Sequence, residues 1–305
     1  MSAPSRPSID RSPAFWPPAP GLVRDRVTVP FAGRRYLGHL VAPPAAAGPR
    51  PLVLVAHNYQ GLKFFDVHVA EYLARVGYVG LAIDLYGDRV PVDEREFPTD
   101  RPERIPAFQT QCFAAMVAMD HDRPTFRGLM DAWRVAGLAH PSVDASRRPA
   151  AIGYCFGGVA VLEAVRGGLD FSAVVSLHGL LQTGEDPNPE RFGVQRPPLV
   201  PCEDRHGQHT VLLVENGAED HLVTDDNMKR FFDEMNGAGV EWLFHQHARA
   251  PHGFALPPTL GAPGHLHEAT DRRSTLSMLA LFREVFPGVV QQPVHHNAAG
   301  TAIPA

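Results

Sequence analysis

Hydrophobic and polar positions along the chain fall into short apolar runs separated by amphipathic stretches. Leu52 to Ala56 (LVLVA) is a continuous aliphatic run, the mark of a strand covered on both faces. Tyr78 to Leu85, the short run Ala150 to Ile152, Phe171 to Leu177, Val211 to Val214 and Val240 to His245 predict further strands. Arg24 to Val29 and Arg35 to Val41 alternate apolar and polar residues around Ala32-Gly33, which predicts a hairpin at a sheet edge. Near-helical spacing over Asp66 to Val76, ended by Gly77, predicts a helix. Others follow over Ala107 to Leu138 with a break at Asp122 to Pro124, over Asp226 to Met235, and over Arg272 to Phe286. Strand and helix alternate, so the expected fold class is α/β, with a mostly parallel central sheet and helices on both faces.

Two polar, Pro-rich stretches interrupt this alternation. Asp88 to Pro106 is expected as a loop near strand ends that shapes a pocket. Leu181 to His209 lacks periodicity, and a loop of that length in a compact domain is usually functional. The expected organisation is a Pro-rich disordered leader at 1–20, one domain at 21–287 and a poorly ordered tail at 288–305.

Composition removes several function classes. A formal net charge of -5 with no dense Lys/Arg block leaves no nucleic-acid footprint and no polybasic membrane surface. No apolar run reaches the ~18 residues of a membrane span. The leader lacks the apolar core of a secretory signal, which points to the cytoplasm. Three cysteines make no disulfide framework, and a reduced compartment would keep a thiol usable.

The candidate chemistry centres on Arg148 to Gly168 (RPAAIGYCFGGVAVLEAVRGG). A strand, a sharp turn and a helix place Cys155 at the apex, beside the first N–H groups of the helix and its positive dipole end. The Phe156 N–H is then a candidate oxyanion-hole donor. The competing reading of Cys155 is a small buried core residue, and the elbow pattern favours the catalytic one. A nucleophile needs a base and an orienting acid at strand ends on the same side of the sheet. Among 16 histidines, His252 is selected by following the last sheet strand between Pro251 and Gly253. Asp220, with Glu219 as rival, lies in the loop after Val211 to Val214. Cys202, His206 and His209 offer a superficial metal-ligand spacing, but no fourth ligand is evident, so no metal and no organic cofactor are expected.

Gly153-Tyr154-Cys155-Phe156-Gly157-Gly158, Asn216-Gly217-Ala218-Glu219-Asp220-His221, Pro251-His252-Gly253-Phe254 and Asp84-Leu85-Tyr86-Gly87 together resemble the dienelactone hydrolase family of the α/β-hydrolase fold, from about Arg24 to Phe286. The resemblance implies a Cys155-His252-Asp220 triad that cleaves a small carboxylic ester or lactone through an acyl-enzyme. It implies oxyanion donors at Phe156, Asn58 and Tyr59, and a substrate pocket near Tyr86, Arg89, Tyr154, His178 and Leu256. Two positions depart from the family. Asn58 stands where a glutamate meets the resting cysteine, and Leu256 where an arginine holds a substrate carboxylate. A neutral or more apolar ester therefore stands beside dienelactone as the expected small-molecule substrate. A non-catalytic binding or sensing protein with the same fold is the alternative.

Overall fold

The computed structural model describes residues 20–90, 102–200, 202–207, 209–260 and 264–304. The leader expected at 1–20 lies, but for residue 20, outside the described residues, as does most of the predicted pocket loop, 91–101.

Among the described residues two short strands, β7 (Glu190–Arg191) and β8 (Val194–Gln195), pair by themselves and eight others form one sheet. The eight are β1 (Val23–Phe31), β2 (Arg34–Ala42), β3 (Leu52–Ala56), β4 (Val79–Ile83), β5 (Ala150–Tyr154), β6 (Ala173–Leu177), β9 (Val211–Glu219) and β10 (Glu241–Pro251). Their order is β1-β2-β4-β3-β5-β6-β9-β10. The β1/β2 hairpin and the β2/β4 pair are antiparallel, and every other neighbouring pair is parallel. The central strands β3, β4, β5 and β6 are buried along their whole length, which is why they read as continuous apolar runs.

The helices divide between the faces. α1 (Phe64–Val76) and α6 (Glu268–Val285) cover one; α2 (Ile105–Asp120), α3 (Arg123–Leu138), α4 (Phe156–Arg166) and α5 (Asp225–Ala238) cover the other. The break between α2 and α3 is chemical. Asp122 caps α3 by accepting from the Thr125 N–H, and Pro124 sits in the first turn where its missing N–H costs nothing. The far half of α4 is held by a buried cluster in which Glu163 accepts from Arg123, Arg127 and Arg166, and Arg166 also binds Glu234 of α5. The helix that carries the elbow is thereby locked to its neighbours on both sides.

Two expectations change. β9 and β10 run on past Val214 and His245, to Glu219 and Pro251, so the acid and the histidine follow directly on strand ends rather than several residues beyond them. The extension is possible because the buried Glu215 carboxylate is satisfied by His245 and His247 of the neighbouring strand. The tail, expected to be poorly ordered, is packed. Gln292 N–H donates to the Val76 carbonyl, the Asn297 amide bonds Asp271 and Thr275 of α6, and Thr301 and Ile303 are buried.

Candidate active site

The elbow is built by backbone proximity. β5 ends at Tyr154, α4 starts at Phe156, and Cys155 between them takes φ 55° and ψ -112°. A non-glycine residue there carries strain on the order of 1–3 kcal/mol, held in place by its surroundings. Those surroundings need glycine. A Cβ on Gly153 would lie 1.9 Å from the Gly157 carbonyl oxygen, and one on Gly157 would lie 2.1 Å from that of Ala56. Strand, turn and helix thus pass each other at a spacing that only hydrogen side chains allow.

The side chains of three strand ends converge on this turn. Cys155 Sγ lies 3.1 Å from His252 Nε2, and His252 Nδ1 lies 2.8 Å from Asp220 Oδ2. Asp220 accepts a further bond from the Leu222 N–H at 2.9 Å, and its carboxylate is fully buried. Because the carboxylate only accepts, His252 must carry a proton on Nδ1 and turn Nε2 to the sulfur. Glu219, the rival acid, is exposed and has no part in this set.

The electrostatics favour a charged pair. Burial pushes the Cys155 thiol up, but His252 and the Phe156 N–H more than offset it and hold the thiol below its ordinary value. Burial alone would lower the His252 pKa, yet the facing Cys155 and Asp220 raise it overall. The sign of the pH dependence follows. A lowered thiol pKa keeps thiolate down to that pKa and loses it only below; a raised imidazole pKa keeps the imidazolium through neutrality. Alkylation of Cys155 by iodoacetamide is therefore expected to titrate with a midpoint below the ~8.5 of a free thiol. A midpoint at or above that value would contradict the ion pair.

The segment facing the elbow from β3 is equally fixed. The Leu85 N–H donates to His57 Nε2 at 3.0 Å, so His57 Nδ1 donates to the Asn58 carbonyl at 2.7 Å. Asn58 Oδ1 accepts from the Gln60 N–H, and the Tyr86 hydroxyl donates to the Tyr59 carbonyl. Asn58 is neutral and turned into its own loop, so no carboxylate meets the sulfur from this side.

The remaining predicted pocket residues are, apart from Arg89, buried around the site. Tyr86 stacks on Phe156 and meets His57 edge-on. Tyr154 packs on Phe65 and His178. His178 is fully buried, with its ring edge-on to His252 at 5.2 Å. Leu256 is a core residue whose carbonyl bonds His265. Arg89 reaches the Tyr36 hydroxyl at 3.4 Å. The structure does not bring Cys202, His206 and His209 together as a ligand set; His206 instead meets Asp204 and Glu234, whose carboxylates are bound by Arg127 and Arg166.

Sequence reasoning missed one wall of the site. A two-stranded hairpin, β7 (Glu190–Arg191) and β8 (Val194–Gln195), rises from the long insertion. Its tip residue Phe192 stacks on Tyr59 at 5.8 Å and accepts from Thr110 of α2. The only signal in the sequence was the length of the insertion. Among the described residues, no helix is long and apolar enough to cross a membrane.

Comparison with known proteins agrees with this geometry. Residues 37–286 match the dienelactone hydrolase family. A carboxymethylenebutenolidase of Pseudomonas sp. strain P51 is 26% identical over 258 residues, covering 83% of this chain and 93% of that protein. The solved structure of m3DLH superposes with a TM-score of 0.70 at 30% identity, covering 87% of this chain and 99% of its own. A dienelactone hydrolase-like promiscuous phosphotriesterase from metagenomic libraries gives a TM-score of 0.69 at 29% identity, with the same coverage.

Proposed function

The chain belongs to the dienelactone hydrolase family, and from that premise we propose that it hydrolyses a small carboxylic ester or lactone by acyl transfer through Cys155, His252 and Asp220. The observation that carries this reading is the continuous set of contacts from Asp220 Oδ2 through His252 to Cys155 Sγ, at 2.8 and 3.1 Å.

In the proposed cycle, the proton of Cys155 resides on His252 Nε2 and the thiolate attacks the substrate carbonyl carbon. A C–S bond forms and the carbonyl electrons move onto oxygen. The Phe156 N–H and the N–H groups of the Asn58–Tyr59 turn donate to that oxygen as an oxyanion hole, donors typically worth about 3 kcal/mol each. Collapse expels the alkoxide, which takes the proton from His252 Nε2 and leaves a thioester on Cys155. His252 then draws a proton from water as the water oxygen attacks the thioester carbonyl, and collapse breaks the C–S bond, releasing the acid and restoring the Cys155 thiolate beside the imidazolium. Asp220 keeps the Nδ1 proton in place throughout and stabilises the imidazolium.

Turnover of 4-nitrophenyl acetate tests the reading. The wild type is expected to release 4-nitrophenolate, and Asp220→Asn to lower kcat by about 10³-fold, because the amide can donate to Nδ1 and so select the wrong tautomer. Unchanged turnover in Asp220→Asn would remove the acid from the mechanism.

A further inference from the structure

The insertion between β6 and β9, together with Leu222 and Asn227 beyond β9, borders a half-open cavity of about 530 Å³. That volume is in the range of small-molecule sites, which in open α/β sheets gather at the carboxyl ends of strands. Its apolar lining includes Leu180, Leu199 and Leu222. Two of these are anchored to the residues proposed to do the chemistry. Leu222 donates its N–H to Asp220, and Leu180 lies two residues beyond His178, whose ring abuts His252. The cavity is therefore built on backbone that continues into Asp220 and His178, while Cys155 and His252 do not themselves line it.

Its charged lining decides what it can take. Glu185, Asp186 and Arg196 surround it. The Arg196 guanidinium is buried and already engaged: Nη1 with Asp186 at 2.6 Å, and Nη2 with Asp120 at 2.9 Å and the Gln182 side-chain oxygen at 2.7 Å. This guanidinium is therefore not free to meet a substrate carboxylate, and the lining carboxylates would repel one. From the volume, the leucines and the neutralised arginine, we infer that this cavity holds the apolar arm of a neutral ester. The inference rests on Cys155 acylation as proposed above, and it sets this chain apart from relatives named for a carboxylate-bearing lactone.

The test is a series of 4-nitrophenyl esters from acetate to hexanoate, with a 4-nitrophenyl ester of matched length ending in a carboxylate. Wild type, Leu199→Trp, Leu199→Ala and Cys155→Ala are compared. Leu199 is chosen because it lines the cavity from the insertion, away from the triad. In the wild type, kcat/KM is expected to rise about threefold per methylene group, the gain from burying one CH₂. The carboxylate-ended ester is expected to be at least ~10-fold poorer than hexanoate. Leu199→Trp, which fills the cavity, should lower kcat/KM for hexanoate by about tenfold and for acetate by less than about twofold, while Leu199→Ala retains the chain-length gain.

A flat chain-length profile in the wild type, a preference for the carboxylate-ended ester, or equal loss of acetate and hexanoate in Leu199→Trp would overturn the inference. If acetate turnover is abolished by Cys155→Ala but the profile is flat, the cavity assignment fails and the acyl-transfer reading stands. If the wild type hydrolyses none of the esters, both fall together.

Discussion

Replacing Cys155 by alanine is expected to lower kcat for 4-nitrophenyl acetate by at least ~10⁴-fold, leaving only what binding and the oxyanion donors supply. The argument is electronic. In this triad His252 and Asp220 handle the proton, so without the sulfur only the slower attack by water or by the imidazole itself remains. The variant should stay folded. Cys155 occupies a strained elbow, and alanine, smaller than cysteine, introduces no clash there. Wild-type-like circular dichroism with lost turnover is the predicted pair of results. Retained turnover would exclude Cys155 as nucleophile.

The second large effect falls on stability. Gly153→Ala would place a methyl group 1.9 Å from the Gly157 carbonyl oxygen, where neither partner is a side chain that can swing aside. Either β5 or α4 must move, and both are packed on every face. The expected cost is on the order of 4 kcal/mol or more, a large part of the 5–15 kcal/mol that holds an ordinary domain together. Urea denaturation and soluble yield read it. Gly237→Ala is the control: it lies in α5 with open space where its Cβ would go, and it should raise stability by about 0.5–1 kcal/mol. Equal behaviour of the two variants would mean that the elbow tolerates spreading and that its glycines are not required by contact.

The central strands and the elbow were legible in the sequence because burial on both faces and close backbone approach leave local marks. LVLVA and Gly153-Tyr154-Cys155-Phe156-Gly157-Gly158 carry those marks in a few adjacent residues. The order of Cys155, Asp220 and His252 was legible for a related reason, since each follows a strand of the same sheet.

What was not legible depends on partners distant in sequence. The ends of β9 and β10 read as loops because Glu215, His245 and His247 look solvent-bound until they are seen to satisfy one another across the strands. β10 is also an edge strand, half exposed, so its apolar signal fades toward Arg249. The tail is fixed by Asn297 on Asp271 and Thr275, polar anchors that leave no hydrophobic period. The Phe192 hairpin and the cavity beside it arise from a segment rich in proline, whose folding is dictated by Arg196 reaching back to Asp120 and Asp186.

The central claim is that the sulfur of Cys155 carries the acyl group between two half-reactions. It is tested most directly by acid-quenching wild-type protein with 4-nitrophenyl acetate within the first turnover and mapping the adduct by peptide mass spectrometry. The account predicts one acetyl group, on the peptide containing Cys155 and on no other, gone after a chase in buffer. An unmodified Cys155 peptide while 4-nitrophenolate is being released would contradict it.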